Sequence, residues 1–382
     1  MNKLFNTDLS IDSFLAEYWQ QKPLLIRQAF PNIMPPLTAD ELAGLACETG
    51  GNARLVLEQC GGKNWCVEYG PFDEQRFAEL PDSGWSLLVS DVERVVPAAL
   101  DIQQQFRFLP DWRHDDVMIS YAPPGGSVGA HIDAYDVFLL QLEGVRRWQI
   151  SEQFEHRVLD NTDLEILQQF EAEQEWLLEP GDMLYLPPGV AHLGVAVDAC
   201  MTCSIGFRAP STHDMASSLL DALLEHHPEQ RYSDPALKPQ THPAEITPQS
   251  LQQIRALLDS VLRYDNTTLA DWFGRYLSDA KSQFEQASDP LDASVTLESL
   301  LQQHPDALAS HNPDCRFFFI RQGAQAKLFV NGEACTVSTA FAEALTAHRR
   351  QPLRALVDHC ESEEDRQRLL RCIHQQWLLL DT

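Results

Sequence analysis

Residues 115–150 read DDVMISYAPPGGSVGAHIDAYDVFLLQLEGVRRWQI. Glycine, proline and aspartate separate the short apolar runs of this segment, a pattern typical of β-strands joined by turns. His131 and Asp133 lie two residues apart on a predicted strand, after a glycine-rich turn. Because side chains alternate along a strand, both are expected on one face. The segment therefore predicts a β-sheet unit that carries a histidine and a carboxylate side by side.

The same β pattern continues on both sides of this segment. Short apolar runs begin near residue 54 and end near residue 208, with one helix expected at 93–106. Closer to the N-terminus, residues 11–30 predict a short helix followed by a strand, and Thr38 and Glu41 have the spacing of a capping box. We therefore predict that residues 1–208 form a mainly β unit, a double-stranded β-helix with helical decoration.

The character of the chain changes after Arg208. Apolar residues at helical spacing predict helices at 211–230 and 248–284, so residues 209–286 are expected to form a helical spacer or oligomerisation region. In residues 287–382 we expect helices near 297–308, 338–347 and 362–380 around a β-hairpin that turns at Asn331 and Gly332. Helices packed around a hairpin suggest a winged-helix-like α+β domain.

The composition limits the classes of function. The 56 acidic and 28 basic residues give a net charge of −28, a field that repels nucleic acid and anionic membranes and attracts basic proteins. No stretch is apolar enough to cross a bilayer, so we expect a soluble cytoplasmic protein. The nine scattered cysteines are expected to be reduced, and Cys200 and Cys203 to be core thiols in spite of their CxxC spacing.

A second histidine completes a candidate metal site. His192 follows the phrase EPGDMLYLPPG at 179–189, which predicts a strand that ends in a tight turn. Two histidines and one carboxylate form the facial triad that holds non-haem iron and leaves positions open for a cosubstrate and oxygen. We therefore predict that His131, Asp133 and His192 bind a metal ion.

A dianionic cosubstrate would also need a fixed cation in the barrel, because an unpaired buried charge is costly. Arg146 is the best candidate, since strand alternation places it on one face together with Trp148. Arg147 would serve instead if the opposite face pointed inward, and Arg208 is a further alternative. The pattern favours surface positions for Arg147 and Arg208.

Four parts of the chain together carry a resemblance to a known family. They are FLAEYWQQKPLLIRQAF at 14–30, the segment 115–150, LEPGDMLYLPPGVAH at 178–192 and SIGFRAP at 204–210. With the helical region and the tail, they resemble the bacterial ribosomal oxygenases, JmjC enzymes similar to the ribosomal-protein arginine hydroxylase. The resemblance implies a JmjC, cupin-like double-stranded β-helix, a helical dimerisation region and a C-terminal winged helix.

The resemblance also implies an activity. It is the β-carbon hydroxylation of an arginine in a large-subunit ribosomal protein of the L-sixteen type, with Fe(II), 2-oxoglutarate and O2, giving succinate and CO2. His131, Asp133 and His192 would bind Fe(II), and Ser120 and Arg146 would bind 2-oxoglutarate. The residues implied for the substrate arginine are Asp116, Tyr135 and Ser204. The implied partners are a basic ribosomal protein and a second copy of the chain, without direct binding of nucleic acid.

Two other functions stay open at this point. One is a JmjC hydroxylase that acts on histidine or another residue of a different protein, which would be favoured if Asp116 pointed away from the metal. The other is a cupin-like binding or regulatory protein without catalysis. The set His131, Asp133, His192 and Arg146 argues against the second alternative.

Overall fold

The computed structural model describes residues 2–48, 52–160, 162–279 and 295–381. The chain divides between Ala209 and Pro210 into two compact units. The three-part division predicted from the sequence stays a prediction, and its boundary at 286–287 lies outside the described residues. None of the described helices has the length and apolar character needed to cross a bilayer.

The first unit is built mainly from strands. The strands are β1 (Leu24–Ile26), β2 (Ala53–Cys60), β3 (Lys63–Tyr69), β4 (Trp85–Val89), β5 (His114–Ala122), β6 (His131–Ile132), β7 (Val137–Glu143), β8 (Arg146–Ser151), β9 (Gln174–Leu178), β10 (Met183–Leu186), β11 (Ala191–Ala196) and β12 (Cys200–Phe207). The α-helices are α1 (Ile11–Glu17), α2 (Ala39–Glu48), α3 (Glu74–Ala78) and α4 (Pro97–Gln104). The reciprocal hydrogen bonds of Thr38 and Glu41 confirm the predicted capping box of α2.

These strands form two antiparallel sheets. The larger has eight strands in the order β1-β10-β7-β12-β5-β4-β2-β3, and the smaller has four in the order β6-β11-β8-β9. Side chains of both sheets line one cavity. This arrangement confirms the predicted double-stranded β-helix.

The central strand β7 shows how the apolar pattern builds the unit. Its run VFLLQL is buried along its whole length, because each face of the strand packs against a different cluster. Phe138 and Leu140 join the main core, where the rings of Phe14, Phe106 and Tyr185 lie within 4.8–5.7 Å of the Phe138 ring. The alternate residues join a second cluster with Trp148. A strand buried on both faces reads as continuously apolar, as this one does.

The second unit combines helices with two small sheets. The helices are α5 (Thr212–His226), α6 (Pro248–Val261), α7 (Asn266–Ser278), α8 (Leu297–Gln303), α9 (Thr339–Ala347), α10 (Leu353–Asp358) and α11 (Glu363–His374). The strands are β13 (Leu308–His311), β14 (Phe317–Gln322), β15 (Gln325–Val330), β16 (Glu333–Ser338), β17 (Arg350–Pro352) and β18 (Leu378–Asp381). They pair in the orders β14-β15-β16 and β17-β13-β18.

Two sequence expectations for this unit meet different outcomes. Asn331 and Gly332 both have positive φ and turn the chain between β15 and β16, as predicted. The helix expected at 362–380 is wrong at its end, because α11 stops at His374 and residues 378–381 form β18. Gln376 takes a left-handed φ of 55° that breaks the helix, and β18 then pairs with β13, about 70 residues away in the chain. Helical periodicity carries no signal of such long-range pairing.

The cysteines are mostly free, with one difference from the expectation. Cys47, Cys200, Cys203, Cys315, Cys335, Cys360 and Cys372 are unpaired, and Cys200 and Cys203 are buried within β12 as core thiols. The expectation of a reduced thiol is wrong for Cys60 and Cys66, which form a disulfide. The hairpin of β2 and β3 brings their Cα atoms to 6.0 Å, a separation at which a disulfide can form.

Candidate active site

The structure brings the three predicted ligands together at one end of the smaller sheet. His131 on β6 and His192 on β11 are directly paired residues of adjacent strands, and Asp133 follows β6 immediately. Oδ2 of Asp133 lies 3.6 Å from Nε2 of His192 and 4.0 Å from Nε2 of His131. All three ligand atoms lie within 4.8 Å of one another, close enough for one metal ion to lie between them.

Backbone contacts fix the orientation of both imidazoles. Nδ1 of His131 lies 3.0 Å from the carbonyl oxygen of Gly129, and Nδ1 of His192 lies 3.0 Å from that of Val190. When Nδ1 carries the proton and donates to a carbonyl, Nε2 keeps its lone pair for a metal. Burial lowers the pKa of His192 to about 4, so its ring is neutral at physiological pH. The donor set therefore fits a first-row transition metal such as iron.

These ligands open onto a cavity of about 400 Å³ between the two sheets. A volume of this size suits a small molecule together with one side chain. The cavity contains, besides the three ligands, every other site residue named from the sequence, which are Asp116, Ser120, Tyr135, Arg146 and Ser204. The structure thus gathers the whole predicted set around one space.

Arg146 lies at the buried end of this cavity with unpaired donors. It is 3% exposed, and its Nη2 donates a long hydrogen bond of 3.3 Å to the carbonyl oxygen of Gly194. Its Nε and Nη1 atoms are buried and have no hydrogen-bond partner in the described structure. Burial lowers the pKa of Arg146, and the neighbouring Cys200 thiol opposes this effect. A buried guanidinium with free donors is a good site for a carboxylate.

The two rival arginines lie elsewhere. The side chain of Arg147 is 48% exposed, and its Nε lies 3.9 Å from Oε1 of Glu175. Arg208 donates from Nε to Asp115 at 3.2 Å and does not line the cavity. Strand alternation predicts that Arg146 and Arg147 lie on opposite faces, and the structure places Arg146 on the face toward the cavity, while its role in binding stays a proposal.

The remaining residues lie on the larger sheet or next to the ligands. Ser120 on β5 and Ser204 on β12 are buried in the cavity wall. Asp116 also lines the cavity, next to Gly206, where an added Cβ would lie 3.2 Å from the Asp116 Oδ1 atom. Tyr135 is 42% exposed, and burial of its hydroxyl end and the Asp133 carboxylate raise its pKa, so the phenol stays protonated.

Other residues of the cavity wall differ in how far the sequence pattern indicated them. Trp148 follows Arg146 on the same face of β8, so alternation gave a signal for it. Arg54 on β2 and the segment 164–166 gave none. That segment belongs to the connection between β8 and β9, and Leu167 donates from its backbone to the carbonyl oxygen of Ala130, beside His131. Its position depends on contacts between distant parts of the chain.

Comparisons with known proteins agree with this geometry. A family model described as the JmjC domain matches residues 101–215, and one described as the ROXA-like winged helix matches residues 258–379. The ribosomal protein uL16 3-hydroxylase of Escherichia coli strain K12 is 38% identical over 285 residues, which are 74% of this chain and 75% of that protein. The chain belongs to the JmjC ribosomal oxygenases. The probable ribosomal oxygenase of Haemophilus influenzae is 31% identical over 331 residues, 84% of this chain and 80% of that protein.

Solved structures of this family extend the similarity to both units. The X-ray structure of E. coli YcfD has a TM-score of 0.83 and 32% identity, and it covers 99% of this chain and 100% of that chain. The structure of YcfD in complex with cobalt and 2-oxoglutarate has a TM-score of 0.79 and 31% identity, covering 98% and 99%. The winged-helix prediction for the C-terminal end of this ribosomal oxygenase is confirmed. The matched winged-helix region includes α7, which packs on the sheet β14-β15-β16.

Proposed function

We propose that this ribosomal oxygenase uses Fe(II) and 2-oxoglutarate to hydroxylate the β-carbon of an arginine in a large-subunit ribosomal protein of the uL16 type. The observation that carries the proposal is one cavity lined both by the His131, Asp133 and His192 cluster and by the guanidinium of Arg146, which has two unpaired donor atoms. Oxygenases of this class need a metal with open positions and a cation for the far end of the cosubstrate. The names of the relatives support the substrate class.

In this proposal the chain holds the cosubstrate at two ends. His131, Asp133 and His192 hold the iron, and three positions stay free for 2-oxoglutarate and O2. Arg146 and the Ser120 hydroxyl bind the distal carboxylate. With iron bound, the site would couple the decarboxylation of 2-oxoglutarate to succinate and CO2 with oxygen transfer to a C–H bond. The buried wall keeps the 2-oxoglutarate in one orientation and limits the access of water.

The charge of the cavity wall supports a cationic substrate side chain. Asp115, Asp116 and Glu165 line it together with the ligand Asp133, whereas Arg54 and Arg146 are the basic residues of the wall. A carboxylate such as Asp116 can pair with a guanidinium through two hydrogen bonds, and the Tyr135 ring can pack on its plane. Ser204 would border the same pocket. The net charge of −28 also favours the encounter with a basic ribosomal protein.

We further infer that the protein is a cytoplasmic homodimer. Large apolar side chains are exposed on the helices of the region 209–279, among them Leu220, Leu224, Leu251, Ile254 and Leu258. Exposed apolar groups at helical spacing are typical of a helix face that packs against a partner. Size-exclusion chromatography with light scattering tests this point, and a monomer at micromolar concentration would contradict it.

The central experiment is mass spectrometry of basic ribosomal proteins after aerobic incubation with the protein, Fe(II) and 2-oxoglutarate. We expect the gain of one oxygen on an arginine of one large-subunit protein, and no gain with the variant His131→Ala. Oxygen on a histidine would favour the histidine hydroxylase. Succinate formation without any modified protein would keep the oxygenase and reject this substrate, and no turnover at all would favour a binding protein.

A further inference from the structure

Trp148 is a buried polar donor that the roles proposed above do not use. It lies on β8 two residues after Arg146, lines the same cavity and is only 5% exposed. Its Nε1 atom is buried and has no hydrogen-bond partner in the described part of the chain. The guanidinium carbon of Arg146 lies 5.3 Å from the centroid of the indole ring. The centroid of the His192 ring lies 5.9 Å from the same indole centroid. The indole ring therefore lies beside both a proposed metal ligand and the proposed carboxylate site.

The opposite strand leaves space for this arrangement. Gly194 on β11 pairs directly with Trp148, and a Cβ added there would lie 2.8 Å from Cη2 and Cζ3 of the indole and 2.7 Å from Nε of Arg146. Because Cη2 and Cζ3 form the edge remote from the pyrrole ring, Nε1 lies on the side of the indole away from Gly194. The outer edge of the indole and the Nε side of Arg146 thus lie against β11, while Nε1 of Trp148 lies away from the Gly194 backbone.

A buried N–H group without an acceptor is unfavourable, and native proteins rarely leave one unpaired. Trp148 Nε1 and Arg146 Nε and Nη1 lack acceptors in the same cavity. A carboxylate has two oxygens with about four acceptor positions, more than Arg146 and the Ser120 hydroxyl would occupy. The two oxygens of one ligand carboxylate can therefore accept from Nη1 of Arg146, the Ser120 hydroxyl and Nε1 of Trp148 together.

We propose that Nε1–H of Trp148 donates a hydrogen bond to the distal carboxylate of 2-oxoglutarate, beside Arg146. This inference rests on the proposed function and deepens it, because it adds a neutral donor to the charged anchor. Trp148 then contributes to the selection of a 2-oxo acid that has a second carboxylate at the right distance.

The test is isothermal titration calorimetry of 2-oxoglutarate into the Mn(II)-loaded protein without O2, so that no turnover occurs. Trp148→Phe keeps an aromatic ring and removes the N–H group. Trp176→Phe is the matched control, because Trp176 pairs with Trp148 from the neighbouring strand β9 and its Nε1 is not among the unpaired buried atoms. We expect the Kd to rise about tenfold or more for Trp148→Phe, as for the loss of a hydrogen bond to a charged group, and to stay within about twofold for Trp176→Phe.

Oxalate separates the proposed contact from general packing, since it keeps the metal-chelating end and lacks the distal carboxylate. We expect wild-type protein and Trp148→Phe to bind oxalate and Mn(II) equally well. Equal weakening of oxalate and 2-oxoglutarate would assign Trp148 to packing and overturn the inference, as would unchanged binding of 2-oxoglutarate. In both cases the proposed function would stand if Arg146→Met still abolished binding. A wild-type protein that does not bind 2-oxoglutarate would reject both.

Discussion

Gly194→Ala should weaken the binding of 2-oxoglutarate without unfolding the protein. The new Cβ would lie 2.7 Å from Nε of Arg146 and 2.8 Å from two atoms of Trp148, against an ordinary contact of 3.4–4 Å. Arg146 must therefore move by about 0.7 Å or more, and Trp148 by about 0.6 Å or more. Overpacking of this kind costs about 1–3 kcal/mol. If that cost falls on the placement of Arg146, the Kd of 2-oxoglutarate should rise roughly five- to a hundredfold.

Calorimetry with the Mn(II)-loaded protein measures the Kd of 2-oxoglutarate. A separate titration measures the affinity for Mn(II), because the proposed ligand His192 lies two residues from Gly194. We expect the affinity for Mn(II) to stay within about threefold. Gly44→Ala is the control, since Gly44 is an exposed helix residue with no atom within 4 Å of an added Cβ. It should bind 2-oxoglutarate normally and gain about 0.5–1 kcal/mol of stability. If Gly194→Ala bound 2-oxoglutarate as tightly as the wild type, the packing argument for Arg146 would be refuted.

Three further predictions concern other parts of the molecule. Asp116→Asn should raise the KM for the ribosomal protein substrate about tenfold or more without changing the Kd of 2-oxoglutarate, because it removes a charged partner of the guanidinium; an unchanged KM would contradict the assigned contact. Burial raises the pKa of Glu93 from its ordinary value of 4.5 to about 7. Between these two pH values the folded state keeps a proton that the unfolded state has lost. The free energy of unfolding therefore falls as the pH rises through this range. Glu93→Gln keeps an acceptor for the Val117 amide, and urea unfolding should show it to be more stable than wild type at pH 8 and similar at pH 5; equal stability at both values would contradict this. Gly274→Ala should lower the free energy of unfolding of the second unit by about 1–3 kcal/mol, because its Cβ would enter the ring of Phe329, and leave 2-oxoglutarate binding unchanged.

Sequence spacing predicted only part of the proximity of the candidate ligands, because His192 reaches the other two through the pairing of β11 with β6. His131 and Asp133 share a face by strand alternation, and His192 follows a turn that ends a strand. Alternation also put Arg146 and Arg147 on opposite faces of β8, and the structure shows that Arg146 is the one that faces the cavity.

Other features depend on which distant segments meet, and sequence spacing does not contain that information. The space for Trp148 exists because Gly194 lies opposite it on the adjacent strand β11. The register of these two strands is set by the whole sheet. The segment 164–166 reaches the cavity through a backbone contact with Ala130. Helical spacing wrongly predicts a helix through residues 378–381, because their strand partner β13 lies far away in the chain.

Most groups proposed to hold the metal and the cosubstrate lie on the smaller sheet. The smaller sheet carries His131, His192, Arg146 and Trp148, so the groups proposed to hold metal and cosubstrate are fixed mainly by pairing within four strands. The larger sheet supplies Asp116 on β5 and Ser204 on β12. In the proposed function, substitutions of Asp116 and Ser204 should therefore change the side chain that the cavity accepts, whereas Ser120 on β5 belongs to the cosubstrate site. In that proposal the motif around His131 relates to the reaction class, and the residue at position 116 relates to the substrate.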